Sequence, residues 1–593
     1  MGVSVDYDKA LPRAVSPDAI AAVASSGRFF DVTTAPYLAD NSGVGDSTTA
    51  IQAAIDAAAA AGGGVVWLPL GAYRTTANLQ LKTKVRLSGS AARIFCSASW
   101  ATYGAFVEAN GITDFAVSGI TFDAGGSYSG SAFANPYSAG NSVGFSNNHV
   151  GVWIRGSAAR GAVTGNTFTG IARGVLIASA TALDIDANQF TTLGACGIYV
   201  EAAQYVTVRG NIIRSVAGNL TSAGDTSTAS SKYADGINIH GSTDISIVGN
   251  VIEDVKRIGI VLEGDGVTLN ARITISGNVV KNCNGNRGSE RNAGIWSESG
   301  KSTRPINVIG NTVDNTGAAA GTNNQRGIVG YHCAISSNVV TGWRHEGVFG
   351  ADMSVTGNEI LGNGYDGVQV YAQAAGKTTR ISGNYISGNG SSGVRLEVAH
   401  GIVVVDNNTI DGNGVTRDFS GVMVNRYYND QRVVIKGNAF LSAAAEAAST
   451  GQLYGIRAVY GGDINWTSRF IEGNTFAFTG TFSTAYPGNI VVVPCSLGID
   501  NTSTVTVSEI HGLNANESDK VAQNYRNEPN VWRNEAAGVQ RFVGWASSAP
   551  STGSAKQGDY VLNNSVAAAG YMGYVCTTTG SPGTWKGFGA IQA

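Results

Sequence analysis

Five successive copies of one strand phrase, in its plainest form Gly-apolar-x-apolar-x, place Glu201, His240, Glu263, Glu298 and Tyr331 at a single shared position. Side chains alternate along a strand, so the apolar residues of each copy face inward and the x residues outward. Over ten copies the second outward position reads Glu201, His240, Glu263, Glu298, Tyr331, Ala351, Tyr371, Glu397, Asn425 and Val459. Four of these ten are Glu, although Asp and Glu together make up only 42 of 593 residues. The first outward position reads Tyr199, Asn238, Val261, Trp296, Val329, Phe349, Gln369, Arg395, Met423 and Arg457, an apolar row for one expected to face water. Stacked about 4.8 Å apart, the copies would align the acids in a column beside an aromatic stripe.

Carboxyls that close raise one another's pKa, so one can hold a proton while its neighbour is ionised. Cleavage of a glycosidic bond uses that division of labour. Glu263 and Glu298 are the expected acid and nucleophile or base, with His240 and Glu201 tuning them. Adjacent coils would set the two carboxyls roughly 5 Å apart, the retaining geometry, whereas Glu201 and Glu263, two coils apart, approach the inverting range of about 6.5–9.5 Å. Asp235, directly before a strand glycine, is a further catalytic candidate, but turn-capping is the plainer reading of it, as of Glu346 and Asp366. Trp296, Tyr331 and Tyr371, with Arg291, Arg326 and Arg395, are expected to bind substrate. Glu397 lies in the same column farther along and is expected to matter much less.

Two other readings compete. In a lyase, His240 or Tyr331 would take the proton α to a uronate carboxylate while Arg291, Arg326 or Lys232 neutralises that carboxylate. In a non-enzymatic adhesion spike the Glu column is only a solvated face. Loop lengths favour a groove: the same turn is expanded at 218–234, 284–293 and 314–326, adding Lys232, Tyr233, Asp235, Arg287, Arg291 and Arg326.

These residues are positioned by a repeat. The phrase apolar-x-Gly-Asn-x-apolar recurs as VTGNTF (163–168), VRGNII (208–213), IVGNVI (247–252), ISGNVV (275–280), VIGNTV (308–313), VTGNEI (355–360), ISGNYI (381–386), IKGNAF (435–440) and IEGNTF (471–476), with looser copies at Asn188, Asn338 and Asn408. From Asn166 to Asn474, eleven intervals across 308 residues average 28. A variable period of alternating strands predicts a solenoid with three short strands per coil, the asparagines stacking into an internal ladder. Ahead of it, residues 47–61 predict an amphipathic helix ending at Gly62-Gly63-Gly64, laid over the open first coil.

The run GVGDSTTAIQAAIDAAAAAGGGVVWLPLGAY (43–73) resembles the N-terminal signature of the pectate-lyase-like right-handed parallel β-helix superfamily, most like phage tailspike-type polysaccharide depolymerases. The usual Asp-Asp-Thr reads Asp46-Ser47-Thr48, and Leu-Pro-Pro-Gly reads Leu68-Pro69-Leu70-Gly71. With the repeats, the resemblance covers roughly residues 30 to 495. It implies a β-helix and a polysaccharide partner, and it leaves the reaction open because this superfamily hosts lyases, hydrolases and epimerases.

The expected fold is therefore all-β: a right-handed parallel β-helix with an N-terminal capping helix and a small C-terminal β module. Its parts are an arm (1–40), cap and first coil (41–80), β-helix (81–500), connector (501–540) and module (541–593). In the module Trp545, Tyr571, Tyr574, Trp585 and Phe588 are expected to form the core rather than a sugar-stacking face. A net charge of −3 gives no general attraction to nucleic acid, and no apolar run reaches membrane-spanning length. The scattered Cys96, Cys196, Cys283, Cys333, Cys495 and Cys576 read as buried free thiols, and no cofactor or metal motif is present. No signal peptide is visible, so a virion tail or a secreted protein is expected. The apolar outward row predicts a homotrimer.

Overall fold

The computed structural model describes residues 28–96, 104–125, 127–129, 132–134, 150–216, 234–263, 269–283, 292–298, 306–316, 325–415, 420–427, 432–442, 454–459, 469–472, 474–478, 532–536, 539–551, 555 and 557–591. The chain divides into two units, Met1–Glu359 and Ile360–Ala593.

In the first unit each coil holds three short parallel strands, as the repeat predicts. One coil runs through Cys196–Glu201, Gln204–Arg209 and Ile212–Val216, and the next through Asp235–His240, Thr243–Val248 and Val251–Val255. All three pairs are parallel and in register, with Glu201 opposite His240, Thr207 opposite Ser246 and Arg214 opposite Glu253. Inward positions such as Ile198, Val200, Ile237, Ile239, Ile260 and Leu262 are fully buried. Each such side chain contributes about 1.5–3 kcal/mol of transfer free energy. Phe122, Phe168 and Phe190 continue the core as a stack, with ring centroids 5.2 and 4.8 Å apart.

The asparagine ladder is the second stabilising element. Asn166, Asn188, Asn211, Asn250, Asn278, Asn311, Asn338 and Asn358 each stand one coil apart, and each Nδ2 donates to the Oδ1 of the next at 2.9–3.0 Å. The same Oδ1 accepts the backbone N–H of the preceding asparagine, so one side chain closes a turn on its neighbour. Glycine stands before most of these asparagines with a left-handed φ, +64° at Gly249, which glycine adopts most cheaply, while Ala187 and Ser337 take the same conformation before Asn188 and Asn338. An Asn250→Ala change strands two buried donors of Asn211, and urea unfolding is expected to show a loss of about 2 kcal/mol. An unchanged midpoint would show that the ladder adds nothing to stability.

The capping helix, Thr48–Ala60, buries Ile51, Ala54, Ile55 and Ala58. It starts where Asp46 Oδ1 accepts the Thr48 N–H at 3.0 Å and stops at Gly62 and Gly63, both with positive φ. Its Gln52 amide pairs with the edge of strand Leu79–Gln80, Oε1 accepting the Gln80 N–H at 2.8 Å and Nε2 donating to the Gln80 carbonyl at 3.1 Å. Five of the six cysteines (Cys96, Cys196, Cys283, Cys333 and Cys576) are buried free thiols, and Cys495 lies outside the described residues.

In the second unit the strands Val368–Tyr371, Val394–Ala399, Ser420–Tyr427 and Tyr454–Val459 pair in parallel. Two asparagine ladders accompany them, Asn384 to Asn408 to Asn438 to Asn474 and Asn363 to Asn389 to Asn413. A five-stranded sheet at the C-terminus comprises Trp532–Ala536, Val539–Ala546, Tyr560–Asn563, Tyr571–Thr578 and Thr584–Ala590. Its first two strands begin inside the stretch expected to be a connector. The expected aromatic core is corrected at four of its five residues: Tyr571 is exposed, and Tyr574, Trp585 and Phe588 are only half-buried, while the Trp545 side chain lies outside the described residues. One sheet without a second layer among the described residues cannot bury large rings on both faces.

Candidate functional site

Strand pairing sets out the column as parity predicts. Glu201 lies opposite His240, His240 opposite Glu263, and Tyr331 opposite Ala351. Glu298 follows Ser297, whose partner is Leu262, and its N–H donates to the Leu262 carbonyl at 3.1 Å, which sets it beside Glu263. His240 Nδ1 is 3.9 Å from Glu201 Oε1. The Glu263 side chain keeps 18% exposure, enough to meet a ligand while most of it is enclosed.

The first outward row departs from expectation. Tyr199, Asn238, Val261, Trp296, Val329 and Phe349 are all buried. Val261, Trp296, Val329 and Phe349 pack with Ile258 and Ala293, residues directly before the strand glycines, and Tyr331 closes one edge against Phe349 at 6.4 Å. Parity gave the side of the sheet correctly, but the pre-glycine residues turn to that same side and fill it. Trp296 is thus a packed ring rather than an open stacking face. The row is thus covered within the chain itself.

Beneath Glu263 lies a buried polar network. Arg257 Nη1 stands 3.2 Å from Asp235 Oδ2, and its Nη2 bonds Glu263 Oε1. Asn238 Nδ2 donates to Asp235 Oδ2 at 3.0 Å and to Glu263 Oε2 at 3.1 Å. Both Glu263 oxygens therefore take a donor, which fixes the carboxylate in one orientation. Asp235 is fully buried. Burial pushes its pKa up to about 7, against the pull of Arg257 and with a push from Glu263. Asp235 is thus a group under the site rather than one that meets substrate.

The remaining candidates separate. Arg326 Nε donates to Glu346 Oε2 at 2.6 Å, and its guanidinium lies 3.8 Å from the Phe349 ring centroid, so its charge is already engaged. Tyr371 is 41% exposed in the second unit. Arg395 there stands 3.1 Å from Glu397 and 3.9 Å from Asp366. Asp366 Oδ1 accepts the Ser392 N–H of the next coil at 2.9 Å. Lys232, Tyr233, Arg287 and Arg291 lie outside the described residues. Sequence reasoning missed Arg257 and Asn238. The available signal was Asn238 itself, the one amide in the row between Tyr199 and Phe349, three positions after Asp235.

The family described as the right handed beta helix region matches residues 92–231, 150–330 and 318–509, and a pectate lyase-like family, rhamnogalacturonase A/epimerase, matches residues 29–112. Two mannuronan C5-epimerases of Azotobacter vinelandii, AlgE2 and AlgE1, are each 51% identical over 55 residues, 8% of this chain. That match spans only 6% and 4% of their own lengths. Among solved structures, a bacteriophage HK620 tailspike protein in complex with hexasaccharide aligns at 14% identity and TM-score 0.42, over 79% of this chain and 84% of that one. The Streptococcus pneumoniae surface adhesin PfbA aligns at 15% identity and TM-score 0.40, over 76% and 92%. The likeness to these structures is one of fold.

Proposed function

This chain belongs to the right-handed β-helix family, and from that premise we propose that it is an endo-acting depolymerase that hydrolyses a bacterial surface or extracellular polysaccharide. The observation that carries the reading is the clamp on Glu263: a carboxylate held at both oxygens by Arg257 and Asn238, next in its column to Glu298. Glu263 would act as nucleophile or base, and Glu298 would protonate the departing glycosidic oxygen. Neighbouring coils stand about 4.8 Å apart, close to the roughly 5–5.5 Å carboxyl spacing of retaining enzymes. His240 and Glu201 extend the column and would position the sugar on the other side of Glu263. The engagement of Arg326 by Glu346 and Phe349 takes that one arginine out of the role of the cation that β-elimination needs to neutralise a uronate.

The HK620 tailspike bound to a hexasaccharide and the mannuronan epimerases agree with a polysaccharide partner met outside the cell or on a virion. Among the described residues no helix is long and apolar enough to cross a membrane. Mass spectrometry of products from a panel of capsular and exopolysaccharides tests the proposal. Hydrolysis predicts oligomers of the repeating unit plus one water at each cut. Products that lack this water and absorb in the ultraviolet would instead indicate a lyase, and unchanged polymer length after long incubation would indicate an adhesion spike.

A further inference from the structure

The segment Asp235-Gly-Ile-Asn-Ile-His240 has a counterpart in the second unit, Asp366-Gly-Val-Gln-Val-Tyr371. On the next coil, Gly259-Ile-Val-Leu-Glu263 matches Gly393-Val-Arg-Leu-Glu397. Register repeats the correspondence, with His240 opposite Glu263 and Tyr371 opposite Glu397. The contacts repeat as well. Asn238 Nδ2 donates to Glu263 Oε2 at 3.1 Å, and Gln369 Nε2 donates to Glu397 Oε2 at 2.8 Å. Each aspartate is buried, and an arginine reaches between the aspartate and the glutamate in both places.

The arginines come from different backbone positions. Arg257 stands two residues before its strand glycine, whereas Arg395 stands two residues after its own and occupies the place of Val261. A repeat copied without consequence would keep the arginine where it was. Here the guanidinium has changed position while the two carboxylates it serves have not. Burial also separates these clusters from a merely structural one. Glu108 takes donors from Gln80, Asn78 and Arg155, but its side chain is only 5% exposed, whereas that of Glu397 keeps 20%, close to Glu263. Of these three clamped glutamates, Glu263 and Glu397 keep the exposure needed to meet a ligand.

We infer that Asp366, Gln369, Arg395 and Glu397, with the exposed ring of Tyr371, form a second saccharide site that binds the polymer without cutting it. The inference rests on the reading that the first unit's column takes polysaccharide. Glu397 offers a fixed acceptor for sugar hydroxyls, and Tyr371 offers an apolar face for a sugar ring. Cleavage in the retaining geometry proposed for the first unit needs a second carboxyl on an adjacent coil. Glu263 has Glu298 there, while Glu397 lies between Tyr371 and Asn425.

Calorimetric titration of the full chain carrying Glu263→Gln, which prevents turnover, tests this with defined oligosaccharides of alginate, polygalacturonate and dextran. The expected stoichiometry is two oligosaccharides per chain, falling to one when Tyr371→Ala or Glu397→Gln is added. Tyr371 is exposed, so its loss reads binding rather than folding. One site per chain that is indifferent to both changes would overturn the second site and leave the first intact. No binding of any probe would count against both.

Discussion

Replacing Glu263 by glutamine is expected to lower turnover of the polysaccharide at least a hundredfold, roughly 3 kcal/mol in the barrier. Glutamine keeps the shape and one acceptor, so Arg257 or Asn238 retains a partner while the charge that attacks or activates water is gone. Glu298→Gln should cost as much, because without its proton the glycosidic oxygen leaves as an alkoxide. The measurement is kcat at saturating polymer, with thermal unfolding beside it to confirm that both variants remain folded. Wild-type turnover in both would make the column a solvated face and place any chemistry elsewhere.

The largest effect on stability is expected at Arg257. Its guanidinium is the cation set between buried Asp235 and enclosed Glu263. Arg257→Met removes it and leaves two carboxyls facing each other, a change that should cost about 3–5 kcal/mol. The cost should depend on pH. Folded Asp235 titrates near 7, raised by burial, whereas an unfolded aspartate titrates near 4, so the folded chain binds the extra proton between those values. Stability from this group is therefore greatest at the acid end of that window and falls as pH rises through it. Without Arg257 the carboxyl loses the charge that holds its pKa down, and the falling window extends to higher pH. Denaturant unfolding at pH 5 and pH 8 should then show the larger loss at pH 8. An equal loss at both pH values would mean that Asp235 carries no such shift.

Much of the scaffold could be read in the sequence because the residues that build it act locally and repeat. Gly-Asn marks most of the turns, a left-handed residue and the asparagine amide both being needed there, and strand parity then fixed which residues share a column. Depth was harder. Parity says which side Trp296 and Phe349 take, but whether that side is covered depends on Ile258 and Ala293, whose direction changes at the glycine. The clamp on Glu263 was hidden for a related reason. Arg257 ends one coil corner and reaches Asp235, 22 positions earlier, so only the closed coil brings them together. In the C-terminal sheet the aromatic composition suggested a core, while the single layer leaves Tyr571 in water.

The Gln52 amide supplies the strand Leu79–Gln80 with one donor and one acceptor, the same pair that a further β-strand residue would offer. A stack of coils is a one-dimensional lattice, and every coil exposes on its far side the template for another. Nothing in the repeat itself says where addition should stop. Gln52 acts as a chain terminator for the sheet that ends at Leu79–Gln80: it takes the N–H and C=O of Gln80 and offers no new edge in return. One glutamine on a helix thus closes the edge at which that sheet could take up another strand.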